Sequence, residues 1–86
     1  MSDLQTRFTR AADDAKRLQR RPDNTTMLQL YALYKQAISG DVSGSRPGFT
    51  DLVGRAKYDA WAELKGKSRD AAMQEYVALV EKLQGA

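Results

Sequence analysis

Tyr31-Ala32-Leu33-Tyr34-Lys35-Gln36-Ala37-Ile38-Ser39-Gly40-Asp41 is the stretch on which the fold turns, and it has an echo in Arg46-Pro47-Gly48 and Gly54-Arg55-Ala56-Lys57-Tyr58-Asp59-Ala60-Trp61. If both run as helices, residues three and four apart share a face, so Tyr31, Tyr34 and Lys35 become neighbours, as do Lys57 and Trp61. Each segment then sets a cation beside aromatic rings. That combination suits a ligand with phosphates at one end, a flat base to stack on and an apolar part to cover.

Working outward, Asp23 reads as the cap of the helix that carries the first segment, over about 24–39, stopped by Gly40. On a helical wheel Met27, Leu30, Tyr31, Tyr34 and Ile38 form one broad stripe with Lys35 at its rim, while Gln29 and Gln36 face away. Residues 40–51 are loop chemistry throughout. A connection of about a dozen residues is long for a small bundle, where about two to eight is usual, and it permits a crossover to a non-adjacent helix. A third helix follows over about 52–65, closed by Gly66, with Lys57 in line with Trp61 and Leu64 on its apolar stripe.

Upstream, Ser2 and Gln5 read as a capping box opening a helix over about 3–20, with Leu4, Phe8, Ala11, Ala12, Ala15 and Leu18 at helical spacing. Arg17, Arg20 and Arg21 cluster at its end, where cations suit the helix dipole and read as solvated charge, and Pro22 stops it. Downstream, Ser68 caps a fourth helix over about 69–84, which turns Ala72, Met73, Tyr76, Val80 and Leu83 inward. The sum is an all-α chain of four amphipathic helices forming a single domain over residues 1–86.

With 86 residues the core must be thin, so an apolar ligand is expected in a groove between elements rather than inside. A composition of 42% hydrophobic and 29% charged residues is that of a folded soluble domain. No run approaches the length needed to cross a bilayer, and the amino terminus lacks the apolar stretch of a signal peptide. With cysteine absent as well, a reducing compartment and a cytoplasmic location are expected, and the sequon at Asn24-Thr25-Thr26 carries no weight there. The net charge of +3 is a mild basic bias, less than nucleic-acid binders usually concentrate on one face, so no nucleic-acid partner is expected. Histidine and cysteine are both missing, which removes the usual zinc sites, thiol nucleophiles and the Ser-His pair. The carboxylates show no metal-loop spacing, and Gly66-Lys67-Ser68 is a helix stop and cap rather than a phosphate loop, since Trp61 stands where that motif needs glycine. The chain is therefore read as no enzyme, with no metal and no cofactor.

The segments quoted at the outset, with Leu64-Lys65-Gly66, Ala72-Met73 and Tyr76, resemble the acyl-CoA-binding protein family over essentially the whole chain and in order. The resemblance implies a four-helix bundle of up-down-down-up arrangement, the long connection crossing over between the second and third helices, and one long-chain acyl-CoA in a surface cleft. Carried over by position, it implies that Tyr31, Lys35 and Lys57 hold the 3'-phosphate of CoA. Tyr31, Met27 and Lys16 would lie around the adenine, with Tyr34 lining the nucleotide site. Tyr76 would meet the pantetheine and acyl end, and Ala11, Ala12 and Leu28 would line the acyl path. Two positions depart from the family pattern: Tyr58 stands where tryptophan is usual, and Val53 where lysine is frequent.

The function so implied is a non-catalytic, monomeric carrier and buffer of long-chain acyl-CoA esters that passes them to acyl-CoA-using enzymes. Spacing alone leaves blander readings open. The tyrosines and Trp61 fit core packing, and Lys35 and Lys57 fit stems laid on the bundle with their ammonium groups in water. A small helical protein-interaction module without a lipid ligand is the alternative function.

Overall fold

The computed structural model describes residues 3–85, which places the Ser2 cap outside the described residues. Four helices follow in order: α1 (Asp3–Ala15), α2 (Asn24–Ser39), α3 (Leu52–Ala62) and α4 (Arg69–Gly85). The architecture is an all-α, up-down-down-up bundle with residues 40–51 as the crossover. α4 packs on both α1 and α2, and α3 packs on α2. The result is a slab of 37 × 30 × 15 Å.

Cap chemistry sets most of the helix starts. The Asp23 carboxylate accepts from Thr26 N–H at 2.8 Å, Asp51 from Gly54 N–H at 2.9 Å, and the Ser68 hydroxyl from Ala71 N–H at 3.0 Å. Gly40 ends α2 at φ +77°, its N–H donating to the Gln36 carbonyl, a backbone conformation that residues with a Cβ rarely adopt.

Helix α1 ends at Ala15, short of the expected Arg20. Its last turn carries Asp13 and Asp14, whose charge opposes the negative end of the helix dipole. The chain there tightens, with Lys16 N–H donating to the Asp13 carbonyl and Arg17 N–H to that of Asp14. Helix α3 likewise gives way after Ala62 to tight turns, Leu64 N–H donating to the Trp61 carbonyl and Lys65 N–H to that of Ala62, before Gly66 at φ +93°.

The core joins Phe8 and Ala11 of α1, Leu30, Leu33 and Ala37 of α2, and Ala72, Tyr76, Val77 and Val80 of α4. Burial on α2 departs from the single stripe expected. Because α4 and α3 both pack on it, α2 also buries Ala32 and Gln36, and Gln36, expected to face away, is 0% exposed. Conversely Met27, Tyr34 and Ile38, three residues of the expected stripe, stay exposed. Two of them, Met27 and Tyr34, form part of a groove wall.

Candidate functional site

A groove of about 1180 Å³ opens between the end of α1, the 16–23 linker, α2 and the start of α3, with Tyr76 of α4 reaching into it. Its apolar part comes from residues such as Ala12, Leu18, Leu28 and Leu30, and three cations, Lys16, Arg21 and Lys57, share the wall. Helix periodicity explains part of this lining. Val53, Ala56 and Lys57 sit three and four apart, so the turn of α3 that presents Lys57 also presents apolar neighbours.

The aromatic floor is a cluster. Phe8 stacks on Tyr34 with ring centroids 5.6 Å apart and meets Tyr76 edge-on at 5.2 Å, while Tyr34 and Tyr76 lie 6.0 Å apart. Such offset and edge geometries suit the ring quadrupoles and hold the tyrosines in place. Burial first, and then neighbouring Tyr34, pushes the Tyr76 hydroxyl above its ordinary pKa, so it remains a neutral donor at physiological pH.

The cations pair with rings across the α2–α3 contact. Lys57 Nζ stands 5.3 Å from the centroid of Tyr31, and Lys35 Nζ stands 4.9 Å from that of Trp61. Both distances are within cation–π range. The sequence expectation set each lysine beside an aromatic residue of its own helix; in the fold each stands over a ring of the other helix.

The crossover loop is fastened down so that this pairing holds. Arg46 forks onto Asp59, Nε to Oδ1 at 2.8 Å and Nη2 to Oδ2 at 2.7 Å. The Tyr58 hydroxyl donates to the Gly44 carbonyl at 2.9 Å, so the family-departing tyrosine is a clamp on the loop. Trp61 Nε1 donates to the Gly40 carbonyl at 2.9 Å. Gln36 Nε2 donates to Asp41 Oδ1 and to the Lys67 carbonyl, and Asp41 Oδ1 also accepts from Gly66 N–H. One carboxylate thus ties the ends of α2 and α3 together.

Of the residues expected at the site, Tyr31, Lys57, Tyr76, Lys16, Met27, Tyr34, Leu28 and Ala12 line the groove. Ala11 is buried in the core instead, and Lys35 stands over Trp61 rather than on the groove wall. Arg21, Leu52, Val53 and Ala56 line it without having been expected there. Val53 stands four residues before Lys57 and is signalled by that spacing, whereas Leu52, five residues before it, is not. Arg21 lies outside any helix, where periodicity says nothing.

A sequence model of the family described as acyl CoA binding protein matches residues 5–80. The chain belongs to the acyl-CoA-binding protein family. It is 51% identical to the acyl-CoA-binding protein homolog of Drosophila melanogaster over 76 residues, 88% of each chain. It is 49% identical to acyl-CoA-binding protein homolog 1 of Caenorhabditis elegans over the same length and the same shares. Among solved structures it is similar to Oryza sativa acyl-CoA-binding protein 2, with a TM-score of 0.92 and 43% identity, covering 95% of this chain and 89% of the rice chain. The family is one of carriers rather than enzymes, in keeping with a groove built from rings, methyl groups and cations.

Proposed function

We propose that this protein is a carrier that holds one long-chain acyl-CoA ester in the groove, buffers its free concentration and delivers it to enzymes that consume it. The observation that carries the reading is Lys57 held over Tyr31 at the wall of a groove otherwise largely apolar. The fold alone has no need of a cation there, and a ligand with phosphates, a planar base and a hydrocarbon chain does.

The division of labour follows from the chemistry. Lys57 supplies a compact point charge for a terminal phosphate, and Lys16 and Arg21 extend the positive wall, Arg21 with a fork that matches phosphate oxygens. Tyr31 and Met27 offer flat and polarizable surface to the adenine. Tyr76 donates its hydroxyl where pantetheine meets the acyl chain, and Tyr34, Leu28 and Ala12 cover the apolar part. Each methylene taken from water contributes up to about 0.8 kcal/mol. Lys35 reaches the 3'-phosphate only by leaving the Trp61 ring, and Ala11 acts through the core behind Ala12. We place the carrier in the cytoplasm as a monomer.

Titration calorimetry with octanoyl-, decanoyl-, palmitoyl- and stearoyl-CoA, against free CoA and free palmitate, tests the reading. Affinity is expected to rise by up to about fourfold per methylene and then level off. Lys57→Ala is expected to weaken palmitoyl-CoA by roughly tenfold or more, the scale of a charge-assisted contact. No heat from any ester overturns the carrier reading, and full affinity in Lys57→Ala overturns the placement of the phosphates.

A further inference from the structure

A second groove, of about 550 Å³, lies on the other side of α2 from the first. α2 turns Met27, Tyr31 and Tyr34 to the first groove and forms the floor of this one with Thr25, Leu28, Gln29 and Ala32, spaced i, i+3, i+4 and i+7. One wall is α3 and the turn after it, with Ala56, Asp59, Ala60 and Glu63 at the same spacing. α4 makes the other wall with Glu75 and Leu79. We propose that this rear groove docks a cationic amphipathic helix of a partner protein, and that the partner takes the ester-loaded carrier in preference to the empty one. The docking half stands on the groove alone, and the preference rests on the carrier reading.

Shape and charge decide the occupant. Stripes at helical spacing on floor and wall make a trough about two helical turns long, the form into which a helix lays its apolar face. Ala32, Ala56 and Ala60 keep the side chains short where the backbone of an incoming helix must come close. No lysine or arginine lines the trough, whereas three carboxylates do. Asp59 is committed to Arg46, which takes both of its oxygens, and Glu75 gives Lys67 one oxygen, Oε2. Glu63 carries no ion pair among the described residues and stands on the wall opposite Glu75. A helix with a leucine stripe and a lysine on each flank satisfies floor and both walls. An anion, a second acyl-CoA included, is repelled by the same carboxylates. A second copy joined by a two-fold axis through this groove fits worse, because Glu63 and Glu75 would meet their own counterparts.

Preference for the loaded form follows from how α3 is held. Leu28 and Ala56 line both grooves, so the contact between α2 and α3 is the partition between them. α3 packs on α2, and the crossover loop's bonds to Asp59, Tyr58 and Trp61 are its other fastening. An ester in the front groove holds α3 against α2, and a helix in the rear groove needs α3 in that same place to complete its wall. Whichever binds first orders α3, and the second meets a wall already ordered. The coupling is reciprocal, so a docked partner tightens the ester by the factor by which the ester tightens the partner. An enzyme that docks here collects carriers bearing its substrate and passes over empty ones.

The probe is a fluorescently labelled peptide of about fifteen residues, an amphipathic helix with a leucine stripe flanked by lysines. Its anisotropy is read with wild type, with Glu63→Lys, and with Glu81→Lys, a charge reversal on α4 outside the groove. Octanoyl-CoA, a short-chain ester that stays in water, loads the front groove, and peptide with octanoyl-CoA alone is the blank. Wild type is expected to bind the peptide, and Glu63→Lys to bind it roughly tenfold more weakly than either wild type or Glu81→Lys. Glu63→Lys without peptide is expected to titrate with octanoyl-CoA as wild type does. Loading wild type is expected to tighten the peptide roughly fivefold, and saturating peptide to tighten octanoyl-CoA by the same factor. No binding of the peptide, full affinity in Glu63→Lys, or an equal loss in Glu81→Lys overturns the docking. A dimer that Glu63→Lys dissolves assigns the groove to a second copy instead. Peptide affinity that is the same with and without octanoyl-CoA, in protein that calorimetry shows to be loaded, overturns the preference alone. Protein that binds the peptide at Glu63 yet gives no heat with any ester overturns the carrier reading and leaves the docking standing.

Discussion

At the scale of the residue, Asp41 is where the two ends of the bundle meet. The Gly66 N–H, and after it the Gln36 amide, hold its carboxyl below the ordinary carboxylate range. Arg46 does the same to Asp59, and the Thr26 N–H to Asp23. Each of these groups binds its proton less readily folded than unfolded. On acidification the unfolded chain therefore takes up protons first. The stability they contribute is complete above the ordinary value of about 4 and is lost as pH falls through the lower folded values. Urea midpoints are expected to stay level from neutral pH to about 5 and to fall below about 4. Asp41→Asn is expected to lower the midpoint at neutral pH and to flatten its acid limb; an acid limb as steep as that of wild type would remove Asp41 from the account. The buried Gln36 explains why the site is sensitive: its Nε2 serves two acceptors while its Oε1 has no hydrogen-bond partner among the described residues, so the knot has no slack.

At the scale of the element, the start of α3 positions Lys57, and its geometry is tight. A Cβ on Gly54 would lie 2.3 Å from Asp51 Oδ2, so the cap and the glycine need each other. Gly54→Ala alone displaces the carboxylate, costing about 1 kcal/mol of capping against a similar gain in helix propensity. In an Asp51→Ala background the obstruction is gone, and Gly54→Ala is expected to stabilise by about 0.5–1 kcal/mol. A double-mutant cycle by denaturant unfolding checks this, and additive effects would mean that the cap adjusts freely.

The same contrast shows what the sequence discloses. Asp23, Ser68, Gly40 and Gly66 are legible because capping and left-handed backbone are decided within a few residues. The end of α1 is not legible, because Leu18 continues the apolar stripe although the helix has stopped, and its side chain serves the groove. Gln36 is misplaced for a related reason: a wheel assumes one partner for α2, and α2 has two. Tyr31, Lys57 and Tyr76 could be named from motif and spacing. Their crosswise pairing needed the angle at which α3 lies on α2.

At the scale of the whole molecule, the helices are unequally held. α4 joins α1 and α2 through the shared core, whereas α3 rests on α2 and is otherwise fastened by the crossover loop's bonds to Asp59, Tyr58 and Trp61. An element held by one neighbour opens at lower free energy than the core does. The groove touches all four helices, and α3 enters it through Leu52, Val53, Ala56 and Lys57. A ligand there bridges the weakly held helix to the strongly held ones. Palmitoyl-CoA at a hundred times its Kd should add about 2.7 kcal/mol, which for a domain of this size raises Tm by roughly 10–20 °C. Because binding requires α3 in place, amide exchange is expected to slow most in α3 and its loop, and least in the Phe8–Tyr76–Val80 core. A raised Tm with uniform slowing would mean that the four helices open as one unit, and that the crossover bonds already do for α3 what the ligand is argued to do.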